Sequence, residues 1–160
     1  MPETRSPAAQ ALIDDIASRS GLDAETTGIA VTLVSAFLAG SLTEHRLADL
    51  RRRIAEFDEL AAEGAVRERT VEADRSSGGS FAGRFMSSFG DLVGGSEGGP
   101  VARTMTLVGH LGRVGLDVGE MRALGSGMIA HVRARLGDAH VDALVAKARA
   151  RIPILGRFLA

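Results

Sequence analysis

Apolar residues recur along most of this chain at intervals of three and four positions. Two such stripes lie near the start of the sequence and are formed by Ala8, Leu12, Ile13 and Ile16, and by Ile29, Leu33, Val34, Phe37 and Leu38. This spacing matches one face of an α-helix, which has about 3.6 residues per turn. The strict alternation of apolar and polar residues that marks a half-exposed strand does not occur in the sequence. The pattern therefore predicts an all-α fold.

Residues 1–75 are predicted to form an N-terminal helical unit of three helices. Ser6 is suited to cap the first helix, with Pro7 at its first position, and Ser20–Gly21 is suited to end it. Asp23 would cap the second helix and Thr43 the third. The third helix has a continuous apolar stripe, formed by Leu47, Leu50, Ile54, Phe57 and Leu60. We expect it to continue into the charged residues 64–75.

Residues 101–160 are predicted to form a C-terminal helical unit on the same plan. Asp117 and Asp138 would cap its second and third helices, and Pro153 would end the last one. A shift of 94 positions superposes the segment Arg19–Asp23 on Arg113–Asp117, and both segments contain a Gly-Leu-Asp step. Glycine allows the turn, leucine enters the core and aspartate caps the next helix. The sequence thus predicts two related three-helix units, as expected of an internal duplication, within one compact domain.

Residues 76–100 form a Gly/Ser-rich connector, in which 14 of 25 residues are glycine or serine. Within it, six apolar residues predict a short amphipathic helix over residues 80–93. They are Phe81, Phe85, Met86, Phe89, Leu92 and Val93. Two interpretations stay open: the helix docks on the core of its own chain, or it binds a partner groove or a membrane surface. These six residues are the candidate partner-binding residues.

Composition and charge narrow the available chemistry. The chain lacks Cys, Trp and Tyr, which excludes disulfides, thiol nucleophiles and cysteine-ligated zinc. The net charge is only −1, but residues 1–100 carry −6 and residues 101–160 carry +5. Such an asymmetry lets halves or subunits attract each other. The basic residues near the end are expected to be solvated, so nucleic acid is an unlikely partner; they are Arg133, Arg135, Lys147, Arg149 and Arg151.

Catalytic and metal-binding motifs are not evident in the sequence. Its four histidines, His45, His110, His131 and His140, lack the spacing of a helical metal site. His131 and His140 could at best build an incidental metal site with Asp138 and Asp142. The segment Gly125–Gly127 lacks the serine-nucleophile pattern and falls inside a predicted helix, where small residues favour close helix packing. We therefore predict a non-enzymatic chain with no catalytic residues, no cofactor and no metal.

An uncharged segment of 18 residues, Thr26–Thr43, is long enough to be considered as a membrane helix. Its threonines, serines and glycines favour a buried central helix instead. The N-terminal residues lack the apolar region of a secretory signal. We expect a cytoplasmic location.

The chain resembles a bacterial family of unknown function, the VcgC/VcgE-type proteins. The resemblance rests on Gly21–Glu25 with the small-residue helix that follows it, on the Gly/Ser-rich middle, and on Leu111–Asp117 with the helix through Met121. The Pro-Gly step that follows the third helix in that family is replaced here by Glu59–Gly64. The resemblance implies the helical fold and brings no catalytic residues.

The sequence as a whole predicts a helical binding or scaffolding module. A protein partner and self-association are the two open modes of binding. Peripheral membrane association through the helix with Phe81, Phe85 and Phe89 is the alternative function.

Overall fold

A computed structural model describes residues 5–75 and 100–151, and within these ranges the chain forms seven α-helices and no β-strand. The all-α prediction is confirmed for this part of the chain. The helices are α1 Pro7–Ser20, α2 Ala24–Ser41, α3 Glu44–Arg53, α4 Phe57–Arg75, α5 Pro100–Arg113, α6 Val118–Leu136 and α7 Asp138–Arg151.

The helix ends follow from local sequence. The Ser6 hydroxyl accepts a hydrogen bond from the Ala9 backbone N–H, and the Asp23 carboxylate accepts one from Thr26. Asp117 and Glu120 form a reciprocal capping box at the start of α6. Gly21 and Gly115, which follow α1 and α5, have φ values of +73° and +99°. Both glycines adopt the left-handed conformation that the turns require.

The predicted third helix is in fact two helices, so the prediction of three helices in residues 1–75 is wrong. α3 ends at Arg53, Ile54 adopts an extended conformation, and α4 begins at Phe57. The bend lets three apolar side chains enter the core together, at 7%, 4% and 2% exposure; they are Ile54, Phe57 and Leu60. The sequence at the bend has no glycine or proline to signal it. The helix is interrupted here because the interruption lets these side chains be buried in the tertiary structure.

α2 is the central helix and packs against α1, α4 and α5. Its contact with α4 is the most extensive of the fold, and the two backbones approach closely at Gly64. A Cβ atom at position 64 would lie 1.8 Å from the Thr32 carbonyl oxygen. Only glycine lets the two helices pack at this distance.

α1 packs against α6 as well as α2, so residues from both predicted units share one core. A Cβ atom at Gly127 would lie 3.1 Å from the Ser20 Cβ and 3.2 Å from the Ile16 carbonyl oxygen. The prediction that the small residues of Gly125–Gly127 favour close packing is confirmed at Gly127. The 94-residue shift places α1 on α5 and α2 on α6, so it exchanges the α1–α6 contact with the α2–α5 contact. The internal duplication itself stays a prediction.

The connector and its predicted helix over residues 80–93 lie outside the described residues. The same holds for the apolar residues that follow α7. The boundaries 1–75, 76–100 and 101–160 therefore stay predictions.

Candidate functional site

A groove between α6 and α7 is the candidate binding site. α7 follows α6 after the single residue Gly137 and packs mainly against that helix. The groove has a volume of about 440 Å³. Each wall consists of four residues at helical spacing: Ser126, Ile129, Ala130 and Arg133 on α6, and Asp142, Val145, Ala146 and Arg149 on α7.

The floor of the groove is apolar and its ends are charged. Ile129, Ala130, Val145 and Ala146 form the middle. At one end, Arg133 donates a hydrogen bond to Asp142 at 2.5 Å, and its Nε lies 3.8 Å from the Asp138 carboxylate. The two aspartate side chains keep 63% and 82% of their surface exposed. These carboxylates can therefore accept additional bonds from a partner.

α7 buries only part of its apolar surface. Val141 is buried at 3% exposure, but Leu144 is 41% exposed, and Ala146, Lys147 and Arg149 also lie at the surface. Val145 and Ala146 line the groove instead of the core. An apolar groove with a charged rim is typical of a contact surface.

A second cluster of polar residues lies where α1 and α6 meet the bend before α4. His131 Nδ1 lies 2.6 Å from the Asp15 carboxylate, which also accepts a bond from Arg19 at 2.8 Å. Glu56, in the bend, accepts two bonds from Arg135 at 2.9 and 3.0 Å. These contacts join elements that are far apart in sequence.

The hydrogen bonds and positive charges around Asp15 and Glu56 stabilise the ionised form of both carboxylates. The hydrogen bond from His131, followed by the bond from Arg19, lowers the pKa of Asp15. The bond from Arg135 lowers the pKa of Glu56 and, reciprocally, raises the pKa of Arg135 itself. Both acids are therefore charged at neutral pH, and the ion pairs hold α1, α6 and the bend together.

An aspartate that orients a histidine is also found in catalytic sites, but the geometry here points to a structural role. The Nε2 atom of His131, which would exchange a proton with a substrate, is buried and has no hydrogen-bond partner among the described residues. A catalytic base must reach the proton that it abstracts. The cluster therefore acts as a connection between helices.

The remaining histidines are dispersed. His140 lies 3.9 Å from Asp49, while Asp138 and Asp142 both face Arg133, and His45 is exposed. The structure thus separates the four residues of the incidental metal site considered above. Residues 5–75 and 100–151 contain no group of three or more His, Asp or Glu side chains that could hold a metal ion.

The six candidate partner-binding residues, Phe81, Phe85, Met86, Phe89, Leu92 and Val93, lie outside the described residues. Sequence reasoning did not find the α6–α7 groove. The spacing of Asp142, Val145, Ala146 and Arg149 places these residues on one strip of α7. Only the position of α6 shows that this strip borders a groove. Arg133 and Arg149, two of the five basic residues named from the sequence, line the groove.

One helix of the described residues, α2, is long and apolar enough to cross a membrane by length and composition. A core helix passes the same test, and α2 packs against three neighbouring helices.

No protein-family model, curated protein or solved structure matches this chain.

Proposed function

We propose that this chain is a non-enzymatic helical module that binds protein through the α6–α7 groove. The observation that carries the proposal is the groove itself: an apolar middle formed by Ile129, Ala130, Val145 and Ala146 lies between ends that carry Arg133, Asp142 and Arg149. Apolar contacts in the groove would supply affinity, and the charges at its ends would fix the orientation of the partner.

The rest of the described molecule supports this assignment by contrast. Most of the apolar stripe of α1 enters the common core, namely Leu12, Ile13 and Ile16, and α2 adds Ala30, Val31 and Leu33. Several acids of α1 and α4 are bound by arginines or a histidine, as in the pairs of Asp15 with His131 and of Glu63 with Arg5. Val145 and Ala146 of α7, by contrast, lie outside that core and line the groove. We therefore infer that α7 is the element best suited to contact another protein.

The segment with Phe81, Phe85 and Phe89 is proposed as a second contact element on the evidence of its sequence. The same segment could fill the groove of its own chain or that of another molecule. Because it carries only Arg84 and Asp91 as charged residues, a protein surface suits it better than an anionic membrane.

Site-specific photocrosslinking tests the proposal. A benzoylphenylalanine is placed at Ala146, in the groove, and at Ala62, an exposed alanine of α4 that serves as the control. We expect irradiation of cells that express the chain to give an intermolecular crosslink from position 146 and none from position 62. Mass spectrometry of the crosslinked peptide identifies the occupant.

Equal crosslinking at both positions, or none at position 146, would contradict a binding role for the groove. A crosslink from position 146 to residues 81–93 of the same molecule would also contradict it, because the groove would then be an internal packing site.

Peripheral membrane association remains the second candidate, favoured by the spacing of Phe81, Phe85 and Phe89. Flotation of the purified chain with liposomes tests it directly. Recovery of all the protein in the aqueous fraction would exclude lipid binding.

A further inference from the structure

The α7 wall of the groove is complementary to itself. In chain order it presents an acid, two apolar residues and a base: Asp142, Val145, Ala146 and Arg149. Positions i, i+3, i+4 and i+7 of a helix lie on one strip of its surface. When such a strip meets a copy of itself in antiparallel orientation, acid faces base and apolar faces apolar.

The register follows from the residue numbers. A two-fold axis between Val145 and Ala146 brings Asp142 of one copy opposite Arg149 of the other, and the same pair recurs on the other side of the axis. Asp138 and Asp142 lie in the first half of α7, and Lys147 and Arg149 lie in the second half. The opposing helix dipoles of an antiparallel pair add to this charge complementarity.

We propose that the groove binds α7 of a second copy of this chain, in an antiparallel, two-fold symmetric dimer. The inference rests on the proposed function of the groove and names its occupant. It gives a use to the charge reversal within α7, because the exposed carboxylate of Asp142, which Arg133 already binds, can accept a further bond from Arg149 of the other copy.

The size of the contact sets the expected affinity. A surface of one groove and one helix face per copy belongs to the class of small, transient interfaces. We therefore expect a dissociation constant in the range of about 10 to 500 µM. The dimer should weaken as salt is added, because its charge pairs are exposed at the rim.

A charge-reversal experiment tests the proposal by sedimentation equilibrium. The variants are Asp142→Arg, Arg149→Asp, the double variant with both changes, and the control Arg69→Asp on the exposed side of α4. Each single variant places like charges opposite each other twice. We expect each to weaken self-association at least about tenfold, and the control to have no effect.

Restoring complementarity should restore the dimer. The double variant again pairs an acid with a base across the axis, and so does an equimolar mixture of the two single variants. We expect both samples to associate about as tightly as the wild type. Circular dichroism checks that every variant retains its helix content. If Asp142→Arg loses helix content because the new arginine faces Arg133, the proposal is tested by comparing the self-association of Arg149→Asp with that of Arg69→Asp.

Two results would overturn the proposal. The first is a wild-type chain that stays monomeric up to about 1 mM, which is about twice the upper end of the expected range of dissociation constants. The second is a dimer that Arg149→Asp and the mixture leave unchanged. In either case a crosslink from position 146 to a different protein would still support the groove as a binding site, so the two proposals fail separately.

Discussion

At the scale of single residues, the packing of the core depends on positions where one or two atoms decide the fit. Gly64 lets α4 approach the backbone of α2, and Gly127 does the same for α6 on α1. Thr27 and Thr32 are both fully buried on α2, but they differ in their hydrogen bonds. The Thr32 hydroxyl donates to the Ile29 carbonyl oxygen at 2.7 Å, whereas the Thr27 hydroxyl has no partner among the described residues.

Gly64→Ala should destabilise the chain by about 3 kcal/mol, because the added methyl group forces α2 and α4 apart. Gly40→Ala is the matched control, since a Cβ atom at this exposed helical position meets nothing within 4 Å. We expect the control to be neutral or to stabilise by up to about 1 kcal/mol. Urea unfolding followed by circular dichroism measures both. Equal effects of the two substitutions would contradict the close approach at Gly64.

Thr27→Val should stabilise the chain by about 1 kcal/mol, because it replaces a buried hydroxyl without a partner by a methyl group of similar shape. Thr32→Val provides the control and should gain less or lose stability, because it removes a hydrogen bond. Thermal unfolding of both variants gives the comparison. A larger gain from Thr32→Val would show that Thr27 has a partner after all.

At the scale of the elements, the helix ends could be predicted from sequence and the way the helices meet could not. The caps at Ser6, Asp23 and Asp117 depend on a few neighbouring residues, so local reasoning finds them. The bend before Phe57 depends on burial against distant helices, and its apolar spacing is indistinguishable from that of one long helix. The α6–α7 groove, likewise, exists only once two helices are placed side by side.

Interhelical ion pairs should make the fold sensitive to acid. The pKa values of Asp15, Glu56 and Glu63 are lowered by their bonds to His131, Arg135 and Arg5 respectively. A lowered pKa in the folded state means that the unfolded state binds protons more readily. The stability from these pairs is thus complete at neutral pH and is lost as the pH falls below about 4.

Unfolding free energies measured between about pH 7 and pH 3 test this expectation. The double variant Glu56→Gln/Arg135→Gln removes one half-buried pair and should show a smaller loss of stability in acid than the wild type. An unchanged pH dependence would indicate that the Glu56–Arg135 pair contributes nothing to the loss of stability in acid.

At the scale of the whole molecule, the described helices divide into a well-packed body and one helix at its edge. The body consists of α1 to α6, each of which contributes residues to the core. α7 adds Val141 to the buried residues and leaves Leu144 at the surface. This division, together with the charge reversal along α7, supports the proposal that the molecule associates through α6 and α7.

The most direct test of this account is the concentration dependence of the amide NMR spectrum of the wild-type chain. Dilution from about 1 mM to about 20 µM spans the expected dissociation constant. We predict that the amide signals of Ile129, Ala130, Val145 and Ala146 shift together on dilution, while those of the core residues Ala30 and Leu60 stay fixed. Shifts concentrated in α1–α4, or a spectrum that does not change with concentration, would contradict association through the α6–α7 groove.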